Sequence, residues 1–113
     1  MDIKKPVALT DAYSGHPVIV SPGIVEVVER NIDGAQLHVW SRELIRVRES
    51  VLEVSALVYG EAPTVIGTNV RGDVMWCISL DRFAYAVGSA DRGFHVKVHG
   101  TAVSGLNADK LSY

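Results

Sequence analysis

The chain has 113 residues, 48% of them hydrophobic, and a net charge of −2 from 11 basic and 13 acidic side chains. That length suits one domain or two very small halves sharing a core, and the apolar fraction excludes a disordered body. The near-balanced charge supplies no general pull toward nucleic acid or an anionic membrane, and the single cysteine, Cys77, excludes an intrachain disulfide.

In chain order, "VALT" (7–10) reads as a short strand and "DAYSGHP" as a turn, since Asp11, Ser14, Gly15 and Pro17 all suit turn geometry. "VIV" (18–20) is a second strand and "SPG" a second turn. The β-branched run "IVEVVER" favours a strand, with a helical start capped by Ser21 and opened by Pro22 as the competing reading. Asp33-Gly34 is the strongest hairpin signal in the chain. It leads into "AQLHVW", where Leu37 and Val39 share one face and Gln36, His38 and Trp40 the other. "LIRVR" returns, with Ile45 and Val47 inward and Arg46 and Arg48 outward.

Ser50 and Glu53 form an S-x-x-E capping box, so a helix is predicted over about 50–59, with Val51, Val54, Leu57 and Val58 at helical spacing and Gly60 as its stop. Two to three turns are too few to stand alone in water, so this helix must cover one end of a curled sheet. Beyond it, "TVIG" is a strand and "NVRGD" a turn centred on Arg71-Gly72. "VMWCISL" (74–80) is apolar on both faces, which marks a central strand or a subunit contact. "FAYAV" and "FHVKVH" are further strands around the loop "GSADRG". The remaining "GTAVSGLNADKLSY" predicts a loose tail over about 101–113. "ALTDAYSGHPVIV" and "ALVYGEAPTVIG" echo each other, but so briefly that chance is the better explanation.

Residue-level chemistry is sparse. Walker, G-x-G-x-x-G, H-E-x-x-H and C-x-x-C motifs are lacking, and no cofactor, metal or catalytic residue is predicted. His95 and His99 lie on one strand face but about 13 Å apart, too far to share a metal without His38 or His16. Cys77, inside an apolar strand, reads as an inert thiol. Arg71-Gly72-Asp73 matches an adhesion tripeptide that a β-turn fully accounts for. No apolar run reaches the roughly 20 residues of a membrane helix, and "MDIKKPVALT" lacks a signal-peptide core, so cytosolic residence is the default expectation.

"LTDAYSGHPVIV", "GIVEVVE", "DGAQLHVW" and "IRVRESVLEV" together resemble the FlbD-type small flagellar-associated proteins over residues 7–58. The turn "WSREL" departs from that family's Gly-Lys turn. Small prophage-encoded proteins have a similar look. The resemblance implies a small bacterial or phage accessory or regulatory protein, with no catalytic residue to carry over.

The expectation is therefore a mainly-β single domain over 1–113: an antiparallel, partly barrel-like sheet with one short helix. Its core should include Val18, Val20, Val27, Leu37, Val39, Ile45, Val47, Val54, Leu57, Trp76, Ile78, Phe94, Val96 and Val98. The expected role is non-enzymatic: binding another protein or self-associating through Val74, Trp76, Ile78 and Leu80. The alternative is a small β-barrel that binds nucleic acid through Trp40, Arg46 and Arg48.

Overall fold

The computed structural model describes residues 5–40, 43–89, 91–99, 103 and 105–113. β1 (Val7–Thr10) and β2 (Pro17–Val20) form an antiparallel hairpin. Its turn is built by Asp11, whose Oδ2 accepts from the Tyr13 and Ser14 amides at 3.2 and 2.8 Å. Both readings of the next segment are realised in succession. Pro22 opens a one-turn 3-10 helix, Pro22–Ile24, and the β-branched residues then extend as β3 (Val25–Asn31). The Asp33-Gly34 turn leads to β4 (Gly34–Val39), and β5 (Leu44–Val47) returns beside it. Past β5 the chain meets β1 again, where the Arg48 amide donates to the Thr10 carbonyl at 2.9 Å.

Helix α1 (Val51–Tyr59) begins as predicted: Ser50 Oγ accepts from the Glu53 amide at 3.2 Å, and Glu53 Oε1 from the Ser50 amide at 3.4 Å. It ends at Gly60, whose φ of 60° disfavours a side chain. Val51, Val54, Ser55, Val58 and Tyr59 are buried. Leu57, expected in the core, is 52% exposed. At 100° per residue the buried stripe centres between Val54 and Ser55, and Leu57 falls on its far flank, so Ser55 goes inward instead.

The second half comprises β6 (Thr64–Thr68), β7 (Val74–Ser79), a second 3-10 turn (Leu80–Arg82), β8 (Phe83–Ser89), β9 (Gly93–Val98), β10 (Leu106–Ala108) and β11 (Lys110–Ser112). The predicted loose tail needs correction. Residues 100–102 and 104 lie outside the described residues, but from Leu106 the chain forms two strands, β10 against β9 and β11 against β6. Leu106 and Ala108 are buried, and "LNADKLS" alternates too briefly to announce itself.

The strands make a six-stranded antiparallel sheet in the order β11-β6-β7-β3-β4-β5, a three-stranded sheet β10-β9-β8, and the hairpin β1-β2. The fold is mainly β with one helix, as predicted, and among the described residues it forms no closed barrel: β2 and β3 are unpaired with each other, as are β7 and β8.

The two halves repeat one wiring. Each has a hairpin, a 3-10 turn, a bulged strand and a meander whose last strand returns to the first. In β3-β4, Val25 faces Val39, then the register slips so that Val27 faces His38 and Val28 faces Leu37. In β8-β9, Phe83 faces Val98, then Tyr85 faces Lys97 and Ala86 faces Val96, with the same slip. β1-β2 pairs Val7 with Val20 and Leu9 with Val18; β6-β7 pairs Val65 with Ile78 and Gly67 with Trp76. The closing bond also recurs: Arg48 N to Thr10 O, and Asp109 N to Thr68 O, both 2.9 Å. The echo noted in the sequence is indeed unrelated, because it sets β2 beside β6, whose counterpart is β1.

Two buried clusters follow from this arrangement. One fills the first half and the underside of α1, and includes Leu9, Val25, Val28, Leu37, Val47, Val54, Val58 and Cys77. The other fills the second half, with Val27, Val65, Trp76, Ile78, Val96, Val98, Leu106 and Ala108. Of the remaining predicted core, Val18, Ile45 and Phe94 are half-buried at the margins.

Candidate interaction surface

β7 is the central strand between β6 and β3, which explains why both its faces are apolar. Trp76 and Ile78 enter the core of the second half, and Cys77, on the opposite face, enters that of the first. This corrects the predicted interface. Trp76 and Ile78 are buried within the chain, Val74 is half-buried against the first cluster, and only Leu80 reaches the surface. A strand shared by two cores looks, in sequence, like a strand awaiting a partner. Burial pushes the Cys77 thiol up, with the Ser55 and Thr64 side chains working the other way, so this sulfur is a packing group. Tyr59, raised by burial as well, donates its hydroxyl to the Cys77 carbonyl at 3.5 Å.

An exposed apolar strand lies elsewhere, at β8. Among the described residues this strand pairs with β9 alone, so its other edge is open. Tyr85 and Val87 are 53% and 63% exposed, and "FAYAVGS" carries no charge. Beside it a groove of about 490 Å³ opens into the second half, lined by Leu80, Phe83, Ala86, Phe94, Leu111 and Tyr113. The corresponding opening of the first half is covered by α1, whose Val51, Val54 and Val58 share a cluster with Val25, Val28 and Ala35, the counterparts of Phe83, Ala86 and Phe94. Edges of this kind are normally short, charged or covered. Sequence reading placed β8 as an ordinary strand because nothing local tells an edge from a centre.

A polar row crosses the sheet. Trp76 faces Glu29, Glu29 faces Gln36, and Gln36 faces Arg46. Glu29 Oε1 accepts from Gln36 Nε2 at 2.7 Å and from His38 Nε2 at 2.9 Å; a carboxylate can only accept, so the imidazole nitrogen carries the hydrogen. The His38 bond, with Gln36 adding to it, holds the Glu29 carboxyl below its ordinary range. Arg46 is exposed, donates to the Tyr13 hydroxyl and lies 6.0 Å from that ring's centre. Of the predicted nucleic-acid residues, Arg46 therefore meets Tyr13, which sequence reading did not include. Arg48 is exposed beyond β5, next to Gly15, and Trp40 is 76% exposed at the end of β4.

A groove of about 880 Å³ between the β3-β4 turn and the start of α1 is lined by both signs of charge, Arg30, Arg48, Glu53 and Asp73, with Arg30 and Asp73 paired at 3.4 Å. The Arg71-Gly72-Asp73 turn is held by Asn69 Oδ1, which accepts from the Arg71 and Asp73 amides, both at 2.9 Å. Among the described residues no group of three or more His, Cys, Asp or Glu side chains is placed to hold a metal ion, and no helix is long and apolar enough to cross a membrane.

The sites define a small β protein in which, among the described residues, an apolar strand edge is uncovered. No family model, curated protein or solved structure matches the chain.

Proposed function

We propose that the protein is a non-enzymatic accessory module that works by protein–protein docking, self-association included, with the open edge of β8 as its docking strand. The observation that carries this reading is the pairing of an open strand edge with exposed Tyr85 and Val87 and an apolar groove alongside. Main-chain groups on such an edge supply affinity, and pockets for alternate side chains supply selectivity. The resemblance of residues 7–58 to FlbD-type proteins fits an accessory role.

Sedimentation velocity over a concentration series tests the reading. The protein should associate as concentration rises, and Val87→Lys should leave it monomeric. A chain that is monomeric at every concentration overturns self-association through β8.

A second reading is favoured by Arg46 beside Tyr13 on an exposed strand, with Trp40 also exposed: a surface for single-stranded nucleic acid through stacking and phosphate contacts. It requires retention on single-stranded DNA or RNA that weakens with salt and is lost on Arg46→Glu plus Arg48→Glu.

A further inference from the structure

Among the described residues the two halves of the chain are joined by one strand pairing, β3 with β7, in which Val28 faces Cys77 and Glu29 faces Trp76. This joint has two sides, and the repeated wiring says which residues correspond to each. On the β3 side, Val28 corresponds to Ala86 and Glu29 to Val87, from the matched β3-β4 and β8-β9 registers. On the β7 side, Cys77 corresponds to Ile19 and Trp76 to Val18, from the matched hairpins. Each half therefore carries both sides of the joint. Within the chain, one of each is used: β3 of the first half and β7 of the second. The other two strands, β8 and β2, are left with an open edge; among the described residues β8 pairs only with β9 and β2 only with β1.

Burial follows the same division. Val27 and Cys77, which straddle the occupied joint and enter the core of the opposite half, are 0% and 1% exposed. Their counterparts Tyr85 and Ile19 are 53% and 64% exposed, and both are apolar or aromatic. Neither β8 nor β2 carries a charge that would repel a neighbouring strand.

Resting on the docking role proposed above, we infer that the occupant of the β8 edge is β2 of a second copy of this chain. It pairs antiparallel, with Ala86 opposite Ile19 and Val87 opposite Val18, so that the joint inside the chain is repeated between chains. Ile19 then enters the open groove beside Phe83 and Phe94, as Cys77 enters the first half, and Tyr85 enters the first half of the neighbour, as Val27 enters the second. Because β8 and β2 are different surfaces, each added copy leaves one of each free. The assembly grows head to tail, into a ring where the rotation closes and a filament where it does not.

Two singly substituted proteins, Ile19→Cys and Ala86→Cys, test the register. Directly opposed residues of antiparallel strands sit about 4.5–5.5 Å apart at Cα, within disulfide reach. Mixed under mild oxidation, the two should give a disulfide-linked dimer several-fold more abundant than either protein gives alone. Ile19→Cys with Ser89→Cys, three positions out of register, should give only that background. Association that persists, and is lost in Val87→Lys, without a 19–86 cross-link overturns the head-to-tail register while the docking role of β8 stands. A chain that never associates overturns self-association through β8 and the head-to-tail register with it.

Discussion

The indole of Trp76 lies flat against the α-carbon of Gly67, its partner across β6 and β7: a β-carbon built on Gly67 would sit 2.2 Å from Trp76 Cε2. The same part of the ring is pinned, since Nε1, 2.6 Å from that β-carbon position, donates to the Asn107 carbonyl at 2.8 Å. Neither the ring nor the backbone can yield, so Gly67→Ala overpacks the second core. The expected cost is about 1–3 kcal/mol, read as a lowered denaturant midpoint with altered Trp76 fluorescence. An unchanged midpoint would mean that the indole does not occupy this position.

That pair also explains why the internal repeat is hard to see in the sequence. The same site in the first half holds Leu9 against Val18, so the large and small partners have changed strands while the space filled is similar. Packing constrains summed volume and leaves identity free, and a repeat conserved only in hydrogen-bond register leaves little trace in letters. What was legible rested on local chemistry: the Ser50–Glu53 cap, the Asp33-Gly34 turn, and the alternation of Leu37 and Val39. What was illegible depended on neighbours distant in sequence. Whether "VMWCISL" lies between two cores or faces a partner is decided by β3 and α1, and whether "FAYAV" is an edge is decided by what fails to pair with it. The exposed pairing of Arg46 with Tyr13 joins residues 33 positions apart, which no spacing rule reports.

The helix cap gives a smaller and more local prediction. Ser50 Oγ satisfies the Glu53 amide, which has no carbonyl partner in the first turn. Ser50→Ala should cost about 1 kcal/mol. Glu53→Ala should cost less, since its return bond is long at 3.4 Å. Amide exchange at Glu53 separates the two, with protection falling markedly in Ser50→Ala. Equal costs would mean that the two halves of the box contribute alike.

The two faces of α1 can be compared through adjacent residues. Val58 is 1% exposed and belongs to the first core, whereas Leu57 points largely to water. Val58→Ser removes buried apolar surface and buries a hydroxyl, and should cost about 2–4 kcal/mol. Leu57→Ser should stay within about 0.5 kcal/mol, as surface substitutions do. Chemical denaturation of both variants decides the matter. A larger loss at Leu57 would rotate the helix by roughly a third of a turn from its present packing.

Stability should fall on the acid side, and Glu29 supplies part of the fall. Its folded pKa lies below the ordinary glutamate range, held there first by the His38 hydrogen bond and then by Gln36. A group depressed in this way contributes stability above its unfolded pKa and loses it as pH drops through the folded value. Asp11 and Asp73 are lowered too, by the Ser14 amide and the Asn69 side chain respectively. Glu49 is lowered against a burial that works the other way, by bonds from the Thr10 amide and hydroxyl. The denaturant midpoint should thus be flat from pH 7 to about 5 as far as these four groups act, and decline below about 4.5. Glu29→Gln should cost up to about 1 kcal/mol at pH 7, discounted for its partial exposure, and much less once acid has protonated the wild-type carboxyl. The two acid limbs should therefore converge. If they ran parallel instead, Glu29 would be titrating alike in the folded and unfolded chains, and the Glu29–His38–Gln36 cluster would contribute no net electrostatic stabilisation.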